Sequence, residues 1–201
     1  MKERPIIFNS EMVRAILEKR KTQTRRIIKP TAQDAWLFNG SWSDEYIKNP
    51  GNCLVDHCPY GVPGNVLWVR ETWLQTPSGS ILFKADDPAC SGWNDHGKTI
   101  KWRSSRFMPR WASRITLEIT DVRVQRVQEI SEEDAIAEGC KGYPCDCNRI
   151  MCTDCMNTGW IESPILDYML LWDKLNYKRG YGWVVNPWVW CLSFRVLEIQ
   201  S

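Results

Sequence analysis

The sequence has no apolar run approaching the ~20 residues of a membrane span. Its start, "MKERPIIFNSEM", shows neither a signal-like hydrophobic core nor a small-residue cleavage site, so the expected location is the cytoplasm with no membrane partner. Net charge is also scarce: 26 Lys and Arg against 24 Asp and Glu leave +2. Binding to a polyanion must then come from local clusters, not from the field of the whole molecule. There is no internal repeat or low-complexity tract, which argues against a solenoid or a linker-rich chain. A length of 201 residues fits one domain, 1–201, with room for an insertion.

Two residue types are plentiful. Twelve Trp give a core that is aromatic as well as aliphatic, and indoles to spare for a stacking surface. Nine Cys is an odd number, and in a reducing compartment clustered cysteines point to metal ligation before disulfides. In "CKGYPCDCNRIMCTDCMNTGW", Cys145, Cys147, Cys152 and Cys155 are spaced C-x-C-x4-C-x2-C. Tight turns bring four such thiolates around one tetrahedral zinc ion, so a closed, structural zinc site is expected in an insertion at 140–162, with Cys140 spare. "CLVDHCP" offers Cys53, His57 and Cys58 but no fourth ligand nearby, and reads as loop or buried thiols with a surface His.

Periodicity supplies the elements. Met12, Val13, Ile16 and Leu17 share one face of a short helix over 10–19 with Ser10 as its cap. Thr24–Ile28 reads as a short strand, and residues 31–64 as loop. Asn65–Trp73 alternates as a strand with Leu67, Val69, Glu71 and Trp73 on one side; Ser80–Ala85 is the next strand. Residues 86–113 are irregular, and a long strand spans roughly 114–128. Ser131 and Asp134 mark a helix start like a capping box, and Gly139 its end. Ser163 and Pro164 open a second helix, and "NPWVWCLSFRVLEI" closes the chain as a long strand. The expected class is α+β: a small twisted β-barrel with flanking helices, these lying before the first strand and between the last two long strands.

The stretch "AILEKRKTQTRRIIKP" sets Thr22 and Thr24 among Lys19, Arg20, Lys21, Arg25 and Arg26. As residues alone, this is either a solvated helix end, where cations suit the dipole, or an anion-binding surface. In "RFMPRWASRI", Arg110, Trp111 and Arg114 suit stacking on a base and holding a phosphate, or else flank a core indole. Glu71, on the apolar side of its strand, needs a partner if buried, and a nearby cation would supply it.

"ILEKRKTQTRR" resembles the signature of the ASCH domain family, of the PUA-like β-barrel superfamily. "GVPGNVLWVRETW", "ISEEDAIAEG" and "WVWCLSFRVL" resemble that family's turn into a central strand, its helix after the long strand, and its closing strand. The overall likeness is to larger phage and prophage members. It covers most of the chain apart from 31–58, 86–105 and 140–162. The resemblance implies a nucleic-acid-related protein. One compact branch of the family hydrolyses N4-acetylcytidine to cytidine and acetate, and its catalytic Lys, Thr and Glu match Lys21, Thr24 and Glu138. On that reading Thr24 is the nucleophile or holds a water. Lys21, its pKa lowered by neighbouring cations and burial, is the base, and Glu138 protonates the leaving amine. Thr22, Arg25, Arg26, Glu71, Arg110, Trp111 and Arg114 frame the nucleoside or single-stranded RNA or DNA. A non-catalytic RNA or modified-base binder, and a ribonuclease using the same basic cleft, are the alternatives. The family usually carries Gly two residues before its lysine; here the residue is Lys19, at a cost of about 1 kcal/mol if the backbone there needs positive φ.

Overall fold

The computed structural model describes residues 2–29, 44–48, 54–86, 94–95, 98–99, 101–141, 143–144, 160–161 and 163–200. In chain order the elements are β1 (Glu3–Ile7), α1 (Ser10–Leu17), β2 (Gln23–Ile27), α2 (Asp44–Lys48), β3 (Val66–Arg70), β4 (Trp73–Gln75), β5 (Ile81–Phe83), β6 (Asn94–Asp95), β7 (Lys98–Thr99), β8 (Ile115–Arg126), α3 (Glu132–Ala137), β9 (Tyr143–Pro144), β10 (Trp160–Ile161), α4 (Pro164–Asn176) and β11 (Trp188–Ile199). The chain is thus mixed α+β, with a largely open sheet and few helices. Among the described residues no helix is long and apolar enough to cross a membrane.

The chain divides into two compact units, the first formed by 1–21, 59–121 and 194–201, the second by 22–58 and 122–193. The long strands β8 and β11 contribute residues to both.

In the first unit β1 runs parallel to β3, with Ile6 opposite Val69, and β3 runs antiparallel to β8, with Leu67 opposite Leu117. Their apolar sides bury Ile6, Leu67, Val69, Ile115, Leu117 and Ile119. Trp73, Met108 and Ala112 form a second cluster against Ile81 and Phe83. The alternation expected over 65–73 holds as burial, since Leu67, Val69, Glu71 and Trp73 are all buried. The hydrogen-bonded strand nonetheless ends at Arg70. Trp73 opens β4 and forms a bridge with Arg103 as well as pairing with Phe83.

β1 was not expected, and a strand therefore precedes the first helix. The cap of α1 is Asn9, whose Oδ1 accepts from the Met12 amide at 2.8 Å; Ser10 is the first helical residue. The helix ends on Lys19, which has φ 60°. The Lys19 amide donates to the Ile16 carbonyl at 3.0 Å and the Arg20 amide to Ala15 at 2.8 Å, the two bonds of a Schellman ending.

In the second unit β2 pairs antiparallel with β11, Thr24 opposite Leu192 and Arg25 opposite Cys191. Val127, Ala135, Cys140, Tyr168, Trp172 and Val189 belong to its core. Cys140, the spare or alternative ligand of the expected zinc site, is buried in this core. Ser131 caps α3, its Oγ accepting from the Asp134 amide at 3.2 Å, and Ser163 caps α4 with Pro164 in the first turn. α3 ends as α1 does, but on a glycine: Gly139 has φ 96°, and its amide donates to Ile136 at 2.8 Å.

Candidate functional site

The candidate catalytic residues all leave water. Lys21 is 1% exposed, Thr24 2% and Glu138 4%. Lysine and glutamate are seldom fully buried without partners. Lys21 belongs to the first unit, where its ammonium stands 5.9 Å from the centre of the Phe8 ring; Thr24 and Glu138 belong to the second.

Around Glu138 the second unit builds a tight ionic network. The Arg25 side chain is fully buried and its guanidinium reaches three acceptors. These are Gln23 Oε1 at 2.6 Å, Asp134 Oδ2 at 2.6 Å and Glu138 Oε1 at 3.2 Å. It also stands 5.7 Å from the centre of the Tyr168 ring. Asp134 and Glu138 lie four residues apart, one turn of α3 and its cap, so one cation serves both. Asp134 takes two further donors, Gln23 Nε2 and Arg123 Nη2, each at 3.1 Å.

The electrostatics follow. Burial opposes the Arg25 charge, but the groups around it, Glu138 and Asp134 among them, outweigh burial and hold the guanidinium protonated. Burial also opposes ionisation of Asp134, and Arg25 with the other donors overcomes it, keeping this carboxyl below its usual range. Burial pushes the Cys191 thiol up to about 12 and Tyr168 well above a normal phenol, so both stay neutral beside the pair. Arg25 was expected to frame a substrate; its guanidinium instead faces Glu138 and Asp134. Side chains alternate along β2, so Gln23 and Arg25 share one face and Thr24 takes the other. Thr22 is exposed and its amide donates to Ala137 at 2.8 Å, tying the start of β2 to α3. Arg26, opposite Trp190, is half-buried.

The first unit holds the remaining nominated residues. Glu71 is buried and is gripped by Arg114 through two bonds, Nε to Oε1 at 3.0 Å and Nη2 to Oε2 at 3.2 Å. The same guanidinium binds Asp86 at 2.7 and 2.8 Å and lies 3.9 Å from the centre of the Phe83 ring. Burial raises the Glu71 carboxyl above its ordinary value despite Arg114. Arg110 pairs with Glu3 at 3.0 Å on the surface, and Trp111 is exposed. Asp86 had no local signal marking it as a partner; its pairing depends on a residue 28 positions away.

Cys145, Cys147, Cys152 and Cys155 lie outside the described residues, as does Cys53. Among the described residues no group of three metal-ligating side chains comes together. His57 is exposed and Cys58 buried.

No family model and no curated protein matches the chain. Among solved structures it is similar to a DUF984-family protein from Enterococcus faecalis. The identity is 10% and the TM-score 0.39, over 92% of this chain and 66% of that one. It is also similar to an ASCH domain from Lactobacillus crispatus, with 12% identity and TM-score 0.37 over 93% of this chain and 70% of that one. The chain spans just under two thirds of the length of the first of these.

Proposed function

We propose that this chain is an ASCH-type, nucleic-acid-related protein that hydrolyses an N4-acylated cytosine nucleoside to cytidine and a carboxylate. One observation carries the reading: a glutamate at the end of α3, where the resemblance calls for it, is removed from water and fixed by a buried arginine. Such fixing costs no reorganisation when charge develops on the substrate, the general condition for electrostatic catalysis. Arg25 is then a positioning residue, acting through Glu138.

In the proposed reaction Lys21 takes the proton of the Thr24 hydroxyl. The hydroxyl oxygen bonds to the acyl carbon, and the bond from that carbon to N4 breaks. Glu138 relays that proton from Lys21 to N4, which leaves as an amine; water then adds its hydroxyl to the acyl carbon and returns a proton to the Thr24 oxygen, releasing the carboxylate. The four cysteines at 145–155 would hold zinc as a structural clip, taking no part in the chemistry. The setting of Thr24 on the face of β2 away from Arg25 favours a second reading, a modified-base binder without turnover.

Purified protein incubated with N4-acetylcytidine separates the two. The hydrolase reading expects cytidine in chromatography, with release abolished in Lys21→Ala, Thr24→Val and Glu138→Gln variants that keep the wild-type circular dichroism. Binding of the nucleoside without release of cytidine establishes the second reading and ends the first.

A further inference from the structure

The segment from Lys101 to Arg114 carries Lys101, Arg103, Arg106, Arg110 and Arg114 and no acidic residue. Removing these five from the 26 Lys and Arg leaves 21 against 24 Asp and Glu, so the rest of the chain is net acidic. The cations of an almost neutral protein are thus clustered, and this stretch of the first unit is one acid-free basic run in addition to the one at 19–29.

Two large rings stand out of this stretch into solvent, Phe107 at 73% and Trp111 at 63% exposed. They are held there by buried anchors. Met108, between them in sequence, is fully buried; its carbonyl accepts from Arg70 Nε at 2.9 Å and its sulfur lies 3.3 Å from the Glu71 amide. Trp111 meets the buried Trp73 edge-on, ring centres 5.9 Å apart. Arg103 exchanges backbone hydrogen bonds with Trp73 at 2.9 and 3.3 Å and stacks its guanidinium 5.1 Å from that ring. The exposed faces are therefore pre-set, and stacking on them orders little that is not already ordered. Arg110 and Arg114 are committed to Glu3, Glu71 and Asp86, while Lys101, Arg103 and Arg106 are exposed. The Arg106 guanidinium has no partner among the described residues.

We propose that this segment is a docking surface for single-stranded nucleic acid, with bases stacked on Phe107 and Trp111 and phosphates held by Lys101, Arg103 and Arg106. Unpaired bases offer π-faces that a duplex conceals, and an acidic peptide offers charge without them. The surface goes beyond the nucleoside chemistry and is judged on binding alone, apart from any turnover.

The test is fluorescence anisotropy of labelled oligouridine and oligothymidine, a duplex of equal length, and oligoglutamate, over a range of salt. The proposal expects single strands to bind more tightly than the duplex or oligoglutamate, with log affinity falling against log salt at about 0.7 per phosphate contacted. Phe107→Ala and Trp111→Ala should each weaken binding about tenfold or more with the salt slope kept, and Arg106→Gln should reduce the slope. Should Trp111→Ala disturb the fold through Trp73, Phe107→Ser reads the same surface. Absence of binding at low salt, equal binding of duplex or oligoglutamate, or wild-type affinity in the folded ring variants overturns the proposal.

Discussion

Replacing Lys19 by Gly should make the protein more stable, although it removes a side chain and a charge. Lys19 holds φ 60°, where a Cβ crowds the following carbonyl at about 1–2 kcal/mol. Two terms oppose the gain. Glycine frees the unfolded chain by about 0.4–1 kcal/mol, and an exposed cation at a helix end contributes about 0.3 kcal/mol. At the middle of these ranges the net expectation is a stabilisation of about 0.5 kcal/mol, or about 1–2 °C in a chain of this size. The molecule contains its own reference, since Gly139 ends α3 with the same two bonds at φ 96°. Gly139→Ala should lose about 1 kcal/mol or more, and Lys19→Ala, which keeps the strain, should gain nothing. Urea unfolding of the three variants measures this. A Lys19→Gly protein no more stable than wild type, beside a Gly139→Ala protein that loses stability, would refute strain at Lys19.

Arg25→Gln should destabilise by about 3–5 kcal/mol, because two carboxylates lose their buried cation. Adding Glu138→Gln should recover part of that loss, and a double-mutant cycle by urea unfolding measures the coupling. Glu71 and Asp134 should give pH effects of opposite sign. The Glu71 carboxyl is raised above 4.5, so its stabilisation is present below that pH and fades as pH rises through its folded value. Asp134 is held below 3.8, so its stabilisation is present above that pH and is lost as pH falls through its folded value. Unfolding of Glu71→Gln and Asp134→Asn against wild type across the acid range checks both signs. Elemental analysis should find one zinc per chain, lost with Cys145→Ser or Cys152→Ser, and its stripping should lower thermal stability.

Elements with strong local signals were legible in the sequence. The long strands β8 and β11 alternate over twelve residues each, and Ser131 and Ser163 cap the helices their spacing indicated. β1 was not legible, because a five-residue strand containing Pro5 has little alternation and owes its existence to parallel pairing with β3, some sixty residues on. Asn9 and Ser10 are both good caps, so one residue of ambiguity could not be settled from the sequence. The break after Arg70 reflects a change of partner at Trp73, which burial alternation does not register. Glu138 was singled out by the family resemblance, but its burial beside Arg25 was not. The turn of Arg25 away from solvent depends on Asp134 and Glu138, 109 and 113 residues along the chain, and no local pattern encodes it.

A crystal of the protein soaked with cytidine, the expected product, tests the central claim most directly. The account predicts the base bound with its N4 amino group within hydrogen-bond distance of the Glu138 carboxylate, and Arg25 still on that carboxylate's other side. Cytidine found only against Phe107 and Trp111, or Glu138 closed off with no base beside it, would contradict it.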